Sequence, residues 1–408
     1  MSVKKVFIVP IWFLLTLVLP GCAILEPVVD GATDLFYNFA GGKDNSVPPN
    51  ELVEFKPELK IDILWEQQIG IGYGEQSVKL LPAINDNVIY AADRQGLVEA
   101  RDINTGELIW QQETELALSG GIGLSFDSVI IGSSDGEVIA LDSVTGEVKW
   151  VVIVSSEVLA VPAVGSGMIV IRTVDGNISA LDENTGLSLW SYERNVPALS
   201  IRGTGMPVIV SDNVIAGYAN GKLLALNLKN GKNIWETSVA IPRGRSEIER
   251  LVDLDTDPIE VDNVIYIASY QGGVSAILAI DGDVLWTNED VSSYSGLSSD
   301  WSNLYLSDSA SDVWQLDQRS GGSLWKQAEL HQRRLTAPTV YRDYVVVGDF
   351  EGYIHWLADD DGRQLGRIQI CDAAILAKPL VDNDIIYIYA SDGTLAALKV
   401  KLIVAEQE

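Results

Sequence analysis

The chain has 408 residues, 47% of them hydrophobic, which is enough apolar surface to bury a large core and excludes a disordered polypeptide. Aspartate and glutamate number 57 against 28 lysines and arginines, a formal net charge of −29. Such a surface repels phosphate backbones, so nucleic acid is not an expected partner.

The first residues read as an address. Lys4 and Lys5 precede an apolar run, Val6 to Leu19, interrupted only by Pro10 and Thr16 and short for a membrane span. Leu19-Pro20-Gly21-Cys22 follows and resembles the bacterial lipobox, with Pro20 where a small residue is usual. Residues 1–21 are therefore expected to be a lipoprotein signal peptide, and Cys22 the lipidated N-terminus, carrying acyl chains such as palmitate. Several chains together make a stable anchor. A lipidated Cys22 cannot pair with Cys371, so no intramolecular disulfide is expected, and Cys371 is expected to be a buried small hydrophobe. Residues 22–60, with "GGKDNSVPPN" at 41–50, read as a flexible tether.

From there one sentence repeats. A glycine, a second glycine ten residues on and a tryptophan four residues later recur as Gly96-Gly106-Trp110, Gly136-Gly146-Trp150, Gly176-Gly186-Trp190, Gly221-Gly231-Trp235 and Gly272-Gly282-Trp286. Two later copies are imperfect: Ser311 replaces the first glycine before Gly321 and Trp325, and Gly366 replaces the tryptophan after Gly352 and Gly362. Gly393 opens an eighth copy that stops short, while "IDILW", Ile61 to Trp65, is a closing strand without its beginning. Pro82, Pro162, Pro207, Pro258, Pro338 and Pro379 each stand fourteen residues before a turn glycine. Segments between them, such as "NVIYIAS" at 263–269, carry the Val, Ile and Tyr of strands, and Asp-Gly or Asn-Gly pairs supply hairpin turns.

Four short strands repeated eight times predict an all-β, eight-bladed β-propeller of four-stranded antiparallel blades over residues 61–408, closed by pairing the N-terminal strand with the C-terminal blade. Trp65, Trp110, Trp150, Trp190, Trp235, Trp286 and Trp325 are then expected to clasp neighbouring blades, each burying on the order of 150–250 Å². Asp142 and Thr145 exemplify the turn that aims them.

Strands alternate in direction, so all blade-to-blade connections emerge on one face. Two long consecutive ones, Trp190 to Pro207 and Trp235 to Pro258, should lie side by side. The first brings Leu199, Ile201 and Arg202 together in a loop; the second mixes Arg243, Arg245 and Arg250 with Asp253 and Asp255. Apolar side chains beside arginine and carboxylates suit an interface, and equally Leu199 and Ile201 suit a cover for the blade ends.

The phrase A-L-D-x-x-T-G-x-x-x-W resembles the tryptophan-docking repeat of quinoprotein propellers, which include the pyrroloquinoline-quinone dehydrogenases and the BamB lipoproteins. The lipobox, the short tether, "PAINDNVIYAADRQGLVEA" at 82–100, "SIRG" at 200–203, "EIERLVDLDTDP" at 247–258 and "VVVGDFEGYIHWL" at 345–357 are similar to the BamB family. That resemblance implies a non-enzymatic scaffold without a cofactor, binding the POTRA domains of BamA within the outer-membrane β-barrel assembly complex and assisting unfolded outer-membrane protein clients. It carries the BamA-binding role onto Leu199, Ile201 (for a leucine), Arg202, Asp253 and Asp255. Ala23, where an inner-membrane retention signal would be aspartate, implies the periplasmic face of the outer membrane.

The alternatives are a periplasmic quinoprotein-type dehydrogenase, which usually flanks its cofactor with adjacent cysteines that this chain lacks, and an adaptor of another envelope complex. Neither a metal nor a dinucleotide site is expected. "DLDTD" at 253–257 has Pro258 and Val264 where a calcium loop needs glycine and glutamate, "GIGYG" at 70–74 leads into no helical pattern, and His331 and His355 lack metal-ligand spacing.

Overall fold

A computed structural model describes residues 47–74, 78–194, 205–243, 245 and 251–403. The compact unit begins at Pro49; Cys22 lies outside the described residues. Among the described residues every regular element is a strand.

The first blade is Ala83–Asn85, Val88–Ala92, Leu97–Asp102 and Leu108–Glu113, paired in sequence order. The same meander recurs over 118–153, 163–192, 208–238, 259–288, 297–327 and 339–369. The eighth sheet joins the chain ends: Leu380–Asp382, Ile385–Tyr389 and Thr394–Leu402 are completed by Leu59–Gln68, with Leu59 opposite Leu402 and Trp65 opposite Ala397. The ring is therefore an eight-bladed propeller closed as the repeat count requires. The second blade departs from four strands, because Lys79–Leu80 adds a short parallel strand against Leu118–Leu124 on the axial side.

The middle strands are apolar on both faces because each blade is covered by two neighbours. Val129, Ile130 and Ile131 are consecutive and fully buried, and so are Val345, Val346 and Val347.

The clasp has one geometry at seven seams. Each tryptophan indole N–H donates to a backbone carbonyl of the next blade: Trp65 to Ile103, Trp110 to Ser143, Trp150 to Glu183, Trp190 to Leu228, Trp235 to Ala279, Trp286 to Gln318 and Trp325 to Asp359, at 2.7–3.1 Å. The ring lies on the second glycine of that blade. A Cβ on Gly146 would stand 2.5 Å from Trp110 Cε3, and its φ of +75° disfavours a side chain independently. A bulge in each outer strand falls beside the clasp position and turns the ring out of its own sheet. The Asp-x-x-Thr turn is held as the sequence suggests: Asp142 Oδ1 accepts from the Val144 and Thr145 N–H groups at 3.0 and 2.8 Å and from Thr145 Oγ1 at 3.1 Å.

The seam between the seventh and eighth blades differs. The eighth blade takes its outer strand from the N-terminus, so it has no turn glycine on which a tryptophan could rest. Gly366 instead admits the N-terminal strand: a Cβ there would be 3.1 Å from Leu59 Cβ. Glu58 N–H donates to Leu365 O at 2.8 Å, and Ile403 N–H to Glu58 O at 2.8 Å. Upstream, the Asn50 amide donates to Ala328 O and Glu329 O, both at 3.2 Å, and Arg333 Nη1 donates to Asn50 O at 3.1 Å.

Two expectations need correction. In the fifth blade the glycine in the left-handed region is Gly273 (φ +92°), not Gly272, so a turn of the usual length bends one residue later. Cys371 is half-buried rather than buried, because it lies just past the outer strand Gln364–Gln369, where the chain leaves the sheet.

Candidate functional site

The two long connections meet on one face. Met206 N–H, closing the first, donates to Asp257 Oδ1 in the second at 2.7 Å. Gly205 leaves no room for a side chain, since a Cβ there would lie 2.6 Å from Thr256 O. Arg172, in the third blade, fixes the first by donating through Nη1 to Gly205 O at 3.0 Å, and its charge acts on Asp255 of the second. Val252 and Leu254 are buried and anchor the second connection, and Thr256 Oγ1 donates to Ala268 O at 2.7 Å.

Leu199, Ile201, Arg202 and Arg250 lie outside the described residues. Asp253 is only 2% exposed, and Asp255 is half-buried. Both carboxylates thus sit in the root of the connection rather than on its crest. Burial, reinforced by the neighbouring charge of Asp253, pushes the Asp255 pKa up to about 7 against the opposing pull of Arg172. Its Oδ2 has no hydrogen-bond donor among the described residues. Arg243 is exposed and forms a two-pronged pair with Glu289 at 3.0 and 3.1 Å.

Under these carboxylates stands a cationic stack that the sequence reading missed. The guanidinium groups of Arg172 and Arg194 both lie on the Tyr218 ring, at 5.1 and 4.7 Å from its centroid. Arg194 also pairs with Glu236 at 2.7 Å, and Lys222 pairs with the same carboxylate, holding its pKa down at about 2. The available signal was Arg172 itself, a charge closing the otherwise apolar strand "MIVIR".

The starts of the innermost strands enclose an axial cavity of about 310 Å³. Leu81, Ile122, Val161, Leu297 and Leu380 contribute apolar wall, and Lys79, Asp257 and Lys378 the charges. Lys79 Nζ pairs with Asp257 Oδ1 at 2.9 Å and donates to Asp255 O at 3.3 Å, reaching from the approach to the first blade to the fourth-to-fifth connection. Burial opposes the charge of Asp257, yet Lys79 and the Met206 N–H hold its pKa below the usual carboxylate range. Among the described residues no group of three or more His, Cys, Asp or Glu side chains is placed to hold a metal ion. His331 pairs with Asp312 at 2.8 Å, and the buried His355 with Asp349 at 2.9 Å.

The family model described as "Outer membrane protein assembly factor BamB" matches residues 94–327 and 311–402. The protein of that name from Pseudomonas aeruginosa is 46% identical over 355 residues, covering 87% of this chain and 93% of the relative. The crystal structure of BamB from Moraxella catarrhalis superimposes with a TM-score of 0.76 at 28% identity, covering 83% of this chain and 100% of that one. A europium-containing methanol dehydrogenase shares the fold alone, with a TM-score of 0.68 at 12% identity over 84% of this chain and 93% of that one.

Proposed function

The chain belongs to the BamB family of outer membrane protein assembly factors, and on that premise we propose that it is a lipid-anchored, non-catalytic scaffold that grips the POTRA domains of BamA at the periplasmic face of the outer membrane. Family membership makes it a subunit of the β-barrel assembly complex, and that family is one of assembly factors rather than enzymes. The proposal adds the anchor at Cys22, the partner and the residues that meet it.

The observation that carries it is the joining of two long consecutive connections through Met206, Asp257 and Arg172. A partner docking there would meet Leu199, Ile201 and Arg202 from one loop beside the Asp253–Asp255 root of the other. Asp255 supports the reading. A half-buried carboxylate whose undonated oxygen is closed off from solvent is held at a cost to the isolated chain, as groups at binding sites often are. Asp253, being buried, acts by fixing the loop.

Calorimetric titration with the BamA POTRA domains tests this. Arg202→Glu, or Leu199→Ser with Ile201→Ser, is expected to weaken binding roughly 30-fold or more, the loss typical of central interface residues, while leaving the melting temperature unchanged. Wild-type affinity in both variants would overturn the assignment. We further propose that unfolded clients add to the free edges of outer strands such as Leu108–Glu113 by strand pairing. Crosslinks to BamA but never to a client chain would overturn that part.

A further inference from the structure

The axial cavity contains a charge that the scaffold reading does not use. Lys378 precedes Pro379 at the entry to the eighth blade, and its Nζ donates across the channel mouth to Leu297 O at 2.9 Å. An ammonium has three N–H donors; this is the one hydrogen bond that Lys378 makes among the described residues, and it makes no ion pair there. Asp257, whose charge it feels, is already engaged by Lys79 and the Met206 N–H. Burial draws the Lys378 pKa down to about 8, which still leaves the group protonated at neutral pH. Lys378 is half-buried, and a charge withdrawn from part of its water is ordinarily paired. An ammonium left with a single carbonyl at the wall of a cavity of about 310 Å³ is a position prepared for an anion.

The surroundings narrow the anion. Lys79 is neutralised by Asp257, so the cavity offers one net positive point and repels a second negative charge. A monoanion fits this balance better than a phosphate or a dicarboxylate. The remaining wall is mostly aliphatic, with Leu80, Leu81, Ile122, Val161, Leu376 and Leu380 among its residues. A peptide end would bring amides into this lining without partners for them, at a cost that an alkyl chain does not incur. The volume lies at the low end of the ~300–1,000 Å³ usual for small-molecule sites. We propose that the axial cavity binds a short alkyl monocarboxylate, with its carboxylate on Lys378 Nζ and its chain along the aliphatic wall.

The probe is octanoate, titrated calorimetrically into the full chain in a mild non-ionic detergent, with octan-1-ol and octylamine as matched controls for partition into micelles. The expected result is saturable binding of octanoate at one site, with both controls weaker by roughly tenfold or more, the loss of a charge-assisted hydrogen bond. Lys378→Met should weaken octanoate by a similar factor, and Lys378→Arg should largely restore it. Should Lys378→Met fail to fold, the acid, alcohol and amine series on the unaltered chain decides. Absence of saturable octanoate binding, equal affinity for the alcohol or amine, or undiminished affinity in folded Lys378→Met would overturn the proposal. Tighter binding of acetyl-Leu-Phe with a free carboxylate than of octanoate would overturn the alkyl assignment in favour of a chain terminus.

Discussion

Gly366 stands where seven other outer strands carry a tryptophan, and a consensus argument would restore the aromatic ring. The structure argues the reverse, because Leu59 and Ile61 already occupy that space and the eighth blade has no turn glycine to receive an indole. Gly366→Trp is therefore expected to destabilise the chain by ~1–3 kcal/mol through overpacking, read as a lower midpoint in urea; an unchanged or raised midpoint would count against this account of the seam. At an ordinary seam, Trp110→Ala should cost ~3 kcal/mol by leaving the seam unfilled, and the same titration reads it. The clasp turns also respond to pH. Hydrogen bonds from Thr145, Thr185 and Ser320 lower the pKa values of Asp142, Asp182 and Asp317 below the usual aspartate value of 3.8. A carboxylate with a depressed folded pKa contributes stability that is present above 3.8 and is lost as pH falls through the lower folded value. The melting temperature should accordingly drop in that acid range, and less so in an Asp142→Asn, Asp182→Asn, Asp317→Asn triple variant. The glycine–tryptophan pairs were legible in the sequence because one spacing recurs. Gly366 read only as an imperfect copy, since its cause is a strand more than 300 residues away in sequence.

The two long connections show what spacing reveals about elements and what it hides. Their lengths and consecutive order were enough to place them side by side, and Met206 bonded to Asp257 bears this out. Their electrostatics were hidden. Lys79 reaches Asp257 across 178 positions of sequence, and Arg172 and Arg194, both from the third blade, share Tyr218 of the fourth. Aspartates that look like surface acids in "DLDTD" prove to be buried or half-buried because Leu254 pulls the segment into the body. Asp255 gives this scale its test. Its folded pKa of about 7 lies above the unfolded value of 3.8, so the folded form loses relative stability as pH rises between the two. Asp255→Asn is expected to raise the melting temperature at pH 8 and, on the scaffold reading, to weaken BamA binding. A variant no more stable than wild type at pH 8 would contradict the burial cost assigned to this carboxylate. Such a trade of stability for binding is common where a site awaits a partner.

At the scale of the whole molecule, the propeller is a ring whose last blade is shared between the chain ends. Every seam is covered, seven by an indole and one by the N-terminal strand. That closure keeps the connections on one face and sends the turns between first and second strands, with the highly exposed Phe126 and Trp301, to the other. The blade number and the closing pair were readable from the counted repeats. The fifth strand at Lys79–Leu80 was not, because a two-residue parallel pairing has no sequence period. Site-specific photocrosslinking in the assembled complex tests the central claim most directly, with the crosslinker at Leu199, which the sequence assigns to the first long connection, or at Arg243 of the second, and at Phe126 or Trp301 on the opposite face. The account predicts BamA adducts from the first pair and none from the second; adducts from Phe126 or Trp301 with none from Leu199 or Arg243 would contradict it.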